Sequence, residues 1–161
     1  MDPQQRADYV ERWARVLEQM GEARITGRIY AHLATAEEPY LSLQELADQL
    51  GISRASVSTN TRRLIGLGML TSAAVPGSRG EHYALTPTGA AAMIDRAAKA
   101  ARVLEELAAE GVRMRSDVVT PGTQSLRMMA EVYGAVAGDL ERRATAMASA
   151  PKPARRRKAA Q

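Results

Sequence analysis

The chain has 161 residues, of which 45% are hydrophobic and 25% charged, values typical of a folded globular protein with a core. It contains no Cys, which excludes disulfides, thiol catalysis and cysteine-ligated zinc, and no Phe, which favours closely packed helices with a core of aliphatic residues and Ala. The net charge of +4 is a poor argument for nucleic-acid binding, because residues 151–161 carry five Lys and Arg and the rest has 17 basic against 18 acidic residues.

Two helices are predicted in the N-terminal quarter of the chain. The first carries an apolar stripe at spacings of three and four, formed by Tyr9, Trp13, Val16 and Met20. This pattern predicts a helix from about Gln5 to Met20 that ends at Gly21. A second helix is predicted from Glu22 to about Ala34, because apolar residues recur on one side and a proline follows soon after.

The central segment predicts two short helices joined by a tight turn. Ser42 opens the first with the Ser-x-x-Glu pattern of a capping box, and Ser53 caps the second, which covers Arg54–Gly66. Two helices that cross steeply need small residues at the crossing and at the turn, and Ala47 and Gly51 stand at those places. The segment therefore predicts a helix-turn-helix.

A β-hairpin and two long helices complete the predicted elements. Met69–Val75 and Glu81–Leu85 have the length of strands and flank a turn rich in Pro and Gly. An Ala-rich helix is predicted from Thr88 to about Glu110, with Gly111 beyond its end, and a last helix begins at Pro121.

These elements predict a mostly α fold, a winged helix-turn-helix with a small β-hairpin wing. We expect N-terminal supporting and dimerisation helices in residues 1–41 and a DNA-binding core in residues 42–86. C-terminal dimerisation helices are expected in residues 87–149. Residues 150–161 form a basic tail for which no order is predicted, and it can serve either as a DNA contact or as a solubilising end.

One face of the helix Arg54–Gly66 has the chemistry that duplex DNA requires. Small residues let a helix enter the major groove, hydroxyls reach phosphates or base edges, and Arg binds guanine or phosphate. The candidate contacts are Ser53, Arg54, Ser56, Ser58, Thr59, Asn60, Arg62, Arg63 and Arg79. A polar helix face alone can be merely solvated, but a hairpin with Arg79 at its tip directly after the helix is typical of a wing that enters the minor groove.

The stretch from about Gly27 to Leu85 resembles the MarR-like winged-helix regulators and, within them, the GbsR branch. The matching pieces are Gly27-Arg28-Ile29-Tyr30, Glu38-Pro39 with Leu43 and Glu45-Leu46-Ala47, Val57-Ser58 with Asn60, and Arg79. The resemblance implies a homodimer built from the N- and C-terminal helices, operator binding and, in many members, control by a small molecule.

The terminal helices are the candidate dimer surface. The last helix has an apolar stripe with heptad-like spacing, and such a stripe stays exposed unless a second chain or the chain's own core covers it. The candidate interface residues are Tyr9, Trp13, Val16, Leu126, Met129, Tyr133, Val136 and Leu140, with Met147 continuing the stripe.

A small-molecule effector is expected from the architecture rather than from an identified ligand motif. Its candidate lining is Trp13, Tyr30, His32, Tyr40, Arg113 and Arg115. The aromatic rings can stack on a cation, whereas the two Arg can hold an anion, so the charge of the effector stays open. The same aromatic residues can also simply fill the junction between elements.

The sequence carries no constellation for catalysis or metal binding. His32 and His82 are separated by fifty residues without a carboxylate cluster around either, and no nucleophile has a paired base. The N-terminus lacks the apolar segment of a secretory signal, so we expect a cytoplasmic, cofactor-free transcription regulator. A repressor is favoured over an activator because operator occupancy needs no further surface. The rival interpretation is a protein-interaction module whose recognition face is unused.

Overall fold

The computed structural model describes residues 2–75, 77–78, 80–115 and 118–149; Arg79 and the basic tail lie outside these ranges. Its elements are α1 (Pro3–Gln19), α2 (Arg24–Ala34), β1 (Leu41–Ser42), α3 (Leu43–Leu50), α4 (Arg54–Gly66), β2 (Leu70–Ala74), β3 (Glu81–Leu85), α5 (Gly89–Met114) and α6 (Pro121–Ser149). The chain divides into two compact units, one up to Gly89 and one from Ala90 onward. The predicted mostly α fold with a β-hairpin wing is confirmed.

The helix-turn-helix, α3 and α4, forms where local capping predicts it. The Ser42 hydroxyl accepts a hydrogen bond from the Glu45 backbone amide at 3.2 Å, and the Glu45 carboxylate accepts one from the Ser42 amide at 2.7 Å. The backbone hydrogen bond from Ser42 lowers the pKa of Glu45, since it favours the charged carboxylate. Gly51 ends α3 with a φ of +63°, a conformation that favours glycine.

The hairpin belongs to a three-stranded antiparallel sheet in the order β1-β3-β2. Strand β1 is absent from the sequence prediction, because two residues are too few to show an alternating pattern. It pairs Leu41 with Tyr83 and Ser42 with His82 across to β3. The wing is thereby joined directly to the start of α3.

The first unit has a core of large aliphatic side chains, and α1 and α2 approach each other closely beside it. The largest fully buried side chains are Ile29, Leu41, Leu46, Leu64, Val57, Thr26 and Thr61. Gly27 allows the close approach, because a Cβ at that position would lie 2.7 Å from the Ala14 Cα. The two helices therefore pack with their backbones nearly in contact.

The second unit consists of α5 and α6, and here one prediction is wrong. Helix α5 continues through Gly111 to Met114, although the sequence pattern predicts Gly111 beyond its end. The glycine faces Leu126, whose Cδ1 would lie 2.9 Å from a Cβ at position 111, so a small residue serves packing at this point rather than helix termination. The predicted start of α6 at Pro121 is confirmed, with Thr120 and Thr123 exchanging backbone-to-hydroxyl hydrogen bonds at 2.9 and 3.2 Å.

Among the described residues, no helix combines the length and the apolar character needed to cross a membrane.

Candidate nucleic-acid interface

Helix α4 has a buried side and an outer side. Val57, Thr61 and Leu64 are buried against the rest of the first unit. Four larger polar or charged side chains of α4 are exposed, namely Arg54, Thr59, Arg62 and Arg63. The sequence prediction includes all four among the DNA contacts, and the structure leaves them accessible to solvent.

Arg62 is partly oriented by its own helix. Its Nε donates to the Ser58 carbonyl at 3.1 Å, and its Nη2 donates to the Ser58 hydroxyl at 3.3 Å. The guanidinium therefore lies along the outer face over Ser58, one helical turn back. A guanidinium has five donors, so others remain free to bind a base edge or a phosphate.

The N-terminus of α4 presents two serines that are bonded to each other. The Ser53 hydroxyl accepts from the Ser56 amide at 3.2 Å and donates to the Ser56 hydroxyl at 2.9 Å. The end of the helix dipole next to them favours a negatively charged group such as a phosphate.

Asn60 and Arg63 are engaged with other elements of the first unit. The Asn60 side-chain carbonyl accepts a hydrogen bond from the Thr26 hydroxyl at 2.8 Å, and its amide donates to the Ser56 carbonyl at 2.8 Å. Arg63 donates from Nη2 and Nε to the two carboxylate oxygens of Glu22, at 2.7 and 3.1 Å. These hydrogen bonds to Glu22 raise the pKa of Arg63.

The wing is attached to α4 through Tyr83 of β3. This side chain is buried, its hydroxyl donates to Glu81 at 3.1 Å, and burial raises its pKa while the neighbouring Thr61 hydroxyl opposes the shift. Arg79, the predicted minor-groove contact, lies outside the described residues.

The predicted effector residues are divided between the two units. In the first unit, Trp13 packs against Tyr30 with ring centroids 5.2 Å apart and against Tyr9 at 6.5 Å. Tyr40 is exposed in the loop before β1. Arg113 and Arg115 belong to the second unit, where both are exposed around the end of α5.

His32 lies away from this aromatic cluster and lines a cavity of about 490 Å³ between α1, α2 and α3. Its Nε2 is 2.6 Å from the Gln49 side-chain oxygen, and its pKa is lowered, chiefly by burial. The described residues contain no group of His, Asp and Glu side chains able to hold a metal ion.

The predicted dimer residues are at least partly exposed within a single subunit. Val16 of α1 is 49% exposed, and Met129 and Val136 of α6 are 38% and 42% exposed. The buried side of α1 is formed by other residues, namely Val10, Ala14 and Leu17. The other predicted dimer residues, namely Tyr9, Trp13, Leu126, Tyr133 and Leu140, have intermediate exposure.

Two further members of the predicted dimer stripe, Leu126 and Leu140, are partly covered within the second unit. Leu126 contacts the α5 backbone region at Gly111, where its Cδ1 would lie 2.9 Å from an added Cβ. Leu140 is partly covered in the same unit. Leu126 therefore contributes to packing between α5 and α6, whereas Met129 and Val136 are exposed.

Sequence reasoning did not identify Glu22 and Thr26 as partners of α4. The only signal for Thr26 was its place on α2 beside the inward-facing apolar positions, where a fully buried hydroxyl must find an acceptor. Glu22 carried no local signal, because its partner lies 41 residues away in the sequence.

Comparison with known proteins agrees with this arrangement. A MarR family sequence model matches residues 28–79, from α2 into the wing. The chain is 30% identical over 125 residues to the HTH-type transcriptional regulator MmpR5 of Mycobacterium tuberculosis, covering 78% of this chain and 76% of that protein. A crystal structure of a transcriptional regulator superposes with a TM-score of 0.71 at 26% identity, covering 91% of this chain and 99% of that one.

Members of this family are DNA-binding transcription regulators and not enzymes. The capped helix-turn-helix, the attached hairpin and the similarity over most of the chain lead to one assignment. The chain belongs to the MarR family of winged helix-turn-helix transcriptional regulators.

Proposed function

We propose that this protein is a homodimeric repressor that occupies a pseudo-palindromic operator, with α4 in the major groove and Arg79 of the wing in the adjacent minor groove. The observation that carries the proposal is the outer face of α4, where Arg54, Thr59 and Arg62 are exposed around small residues. Arg supplies bidentate contacts to guanine, and a small-residue surface allows the helix to approach the base edges.

Exposed apolar side chains support the dimer. Val16, Met129 and Val136 each leave more than a third of their surface in water within one subunit, and their burial against a second copy would be favourable. A two-fold symmetric protein matches half-sites about one helical turn apart on DNA.

DNA binding is tested by selecting duplexes from a random pool with the purified protein and titrating the selected operator in gel shifts. Arg62→Ala should weaken binding by about 1–3 kcal/mol and relax preference at particular positions, because a base contact is lost. Arg79→Ala should weaken binding to all sequences more evenly. Arg15→Ala on α1 is the matched control, since it removes the same charge from a different helix. Unchanged affinity in both Arg62→Ala and Arg79→Ala would show that the DNA face is elsewhere.

The dimer is tested by light scattering on the protein and on Val136→Glu. The variant buries a charge if the α6 stripe is an interface, so it should shift the protein toward monomer. Glu131→Gln on the same helix is the control and should leave the assembly unchanged. A wild-type protein that is monomeric and folded at micromolar concentration would contradict the proposal.

A small-molecule effector is the remaining part of the proposal, and among the predicted effector residues Trp13 and Tyr30 are in ring contact, with centroids 5.2 Å apart. Trp13 is the single Trp of the sequence, so its fluorescence reports binding directly. Metabolites that change the fluorescence should also release operator DNA, because an effector must bind the DNA-competent and incompetent states with different affinities. Binders that leave DNA affinity unchanged would indicate constitutive DNA binding. Membership of the GbsR branch stays a prediction, supported by Gly27-Arg28-Ile29-Tyr30 on α2, Glu45-Leu46-Ala47 on α3 and Val57-Ser58 with Asn60 on α4.

A further inference from the structure

Asn60 and Arg63 of α4 are both held by the hairpin formed by α1, α2 and their connecting turn. We propose that these two residues are positioning residues that fix the direction of α4 on the α1–α2 hairpin, and that they do not contact DNA. The inference rests on the proposed DNA-binding face of α4, and it assigns base and phosphate contacts to the other exposed side chains of that face.

The side-chain amide of Asn60 is bonded within the protein at both its oxygen and its nitrogen. Asn recognises adenine with its carbonyl and its amide together, and both groups are already bonded, to Thr26 and to the Ser56 carbonyl. Thr26 is fully buried, so turning Asn60 outward would deprive a buried hydroxyl of its acceptor. The bond therefore holds Asn60 against α2.

Arg63 is held in a two-point arrangement. Its Nη2 and Nε meet the two oxygens of Glu22, and such a paired contact fixes the direction of the guanidinium as well as its distance. The Arg63 side chain is 54% exposed, and exposed ion pairs contribute little to stability. Loss of the pair should therefore leave the fold intact, so that its effect on DNA binding can be measured on folded protein.

The hairpin itself is a firm base for these two contacts. Thr26 bonds α4 on one side of α2, and the next residue, Gly27, meets the backbone of α1 at Ala14 on another side. Asn60 and Arg63 are three residues apart and lie near each other on the surface of α4. Two neighbouring points of α4 are thus bonded to the α1–α2 hairpin, in addition to the buried contacts of Val57, Thr61 and Leu64.

The first experiment compares Glu22→Gln, Arg63→Gln and the double variant in operator binding at several salt concentrations. If both residues position α4, each single variant should weaken binding about three- to tenfold, and the double variant should be no weaker than either. The slope of log affinity against log salt should not change, because no phosphate contact is lost. Circular dichroism at the assay temperature confirms that each variant is folded.

A direct phosphate contact by Arg63 gives the opposite result. Glu22→Gln would then strengthen binding by releasing Arg63 and removing a negative charge, while Arg63→Gln would lower the slope by about 0.9. Either outcome overturns the inference. If the two residues position α4, the exchanged pair Glu22→Arg with Arg63→Glu should bind DNA more tightly than Glu22→Arg alone. If Arg63 contacts a phosphate, the exchanged pair should be the weakest binder of the set, because it places an acidic residue at that contact.

The second experiment tests Asn60 through a residue that cannot touch DNA. Thr26→Val keeps the shape of a fully buried side chain and removes its hydrogen bond, so Thr26→Val and Asn60→Ala should weaken binding by similar factors and select the same operator sequence. If Asn60→Ala alone alters the preferred base at one position, Asn60 reads DNA and the inference is wrong. Failure of the wild-type protein to bind any duplex would instead reject the proposed function.

Discussion

The two units of the chain bury different kinds of side chain. In the first unit the fully buried residues include large aliphatic side chains, with Ile29, Leu41, Leu46 and Leu64 at or near zero exposure. Among the described residues of the second unit, the buried apolar ones are Ala98, Ala101, Ala108 and Ala137, whereas Leu107 of α5 and Val132 of α6 are more than half exposed. Burial of apolar area is the main stabilising term in folding, so the first unit contains its own core of large side chains, whereas the second leaves several of its larger apolar side chains exposed.

The largest expected difference between the units comes from one substitution made in each. Leu46→Ala should lower the free energy of unfolding by about 2–5 kcal/mol, because it leaves a cavity in a closed core. Leu107→Ala should cost less than about 1 kcal/mol, because its side chain is already 59% exposed. Urea unfolding of the two variants measures both losses of unfolding free energy. Equal losses would show that the exposed face of α5 is covered in solution, and a midpoint that depends on protein concentration would indicate that a second copy covers it.

Two glycines extend the comparison to helix packing. Gly27→Ala should destabilise the protein by about 1–3 kcal/mol, since the new Cβ would meet the backbone of Ala14, which cannot move aside alone. Gly111→Ala should stay within about 1 kcal/mol of wild type, because its new Cβ meets only the end of the Leu126 side chain and the helix gains propensity. Thermal unfolding of both variants is the measurement. If Gly111→Ala lowers the stability as much as Gly27→Ala does, then α5 and α6 are packed as rigidly as α1 and α2.

Helix capping should not distinguish the units. Ser42→Ala and Thr120→Ala each remove a hydroxyl that accepts a backbone amide at a helix start, so each should cost about 1 kcal/mol in urea unfolding. Gln44→Ala, in the same turn of α3 but outside the capping box, is the matched control and should have a smaller effect. A markedly larger loss for one cap than for the other would show that the units differ at their helix ends as well as in their cores.

The smallest expected effect is a pH dependence confined to the first unit. Burial lowers the pKa of His32, with Arg6 and Arg28 acting in the same direction and the Gln49 hydrogen bond and Glu38 opposing them. The folded state therefore prefers neutral His32, and its stability is complete above the unfolded pKa of about 6.5 and falls as the pH drops below it. In His32→Gln, the decline in unfolding free energy between about pH 7 and pH 5 should be shallower. An identical slope in both proteins would show that other groups cause the decline.

Much of the winged helix-turn-helix was predictable because its signals are local. The Ser42 capping box, the bounds of α4 and the glycine that ends α3 each depend on residues within about one helical turn. Strand β1 and the continuation of α5 through Gly111 were not predictable in this way. The first depends on pairing with β3, and the second on a side chain of another helix.

The sequence by itself determined the helix periods, their caps, the turn and the chemistry of the outer face of α4, because these follow from neighbouring residues. Only the tertiary structure decided which polar residues of α4 are engaged by other helices. Asn60 and Arg63 have the same local character as Thr59 and Arg62, but their partners Thr26 and Glu22 lie 34 and 41 residues away. A hydrogen bond between distant residues depends on how helices pack, and helix periodicity carries no information about it.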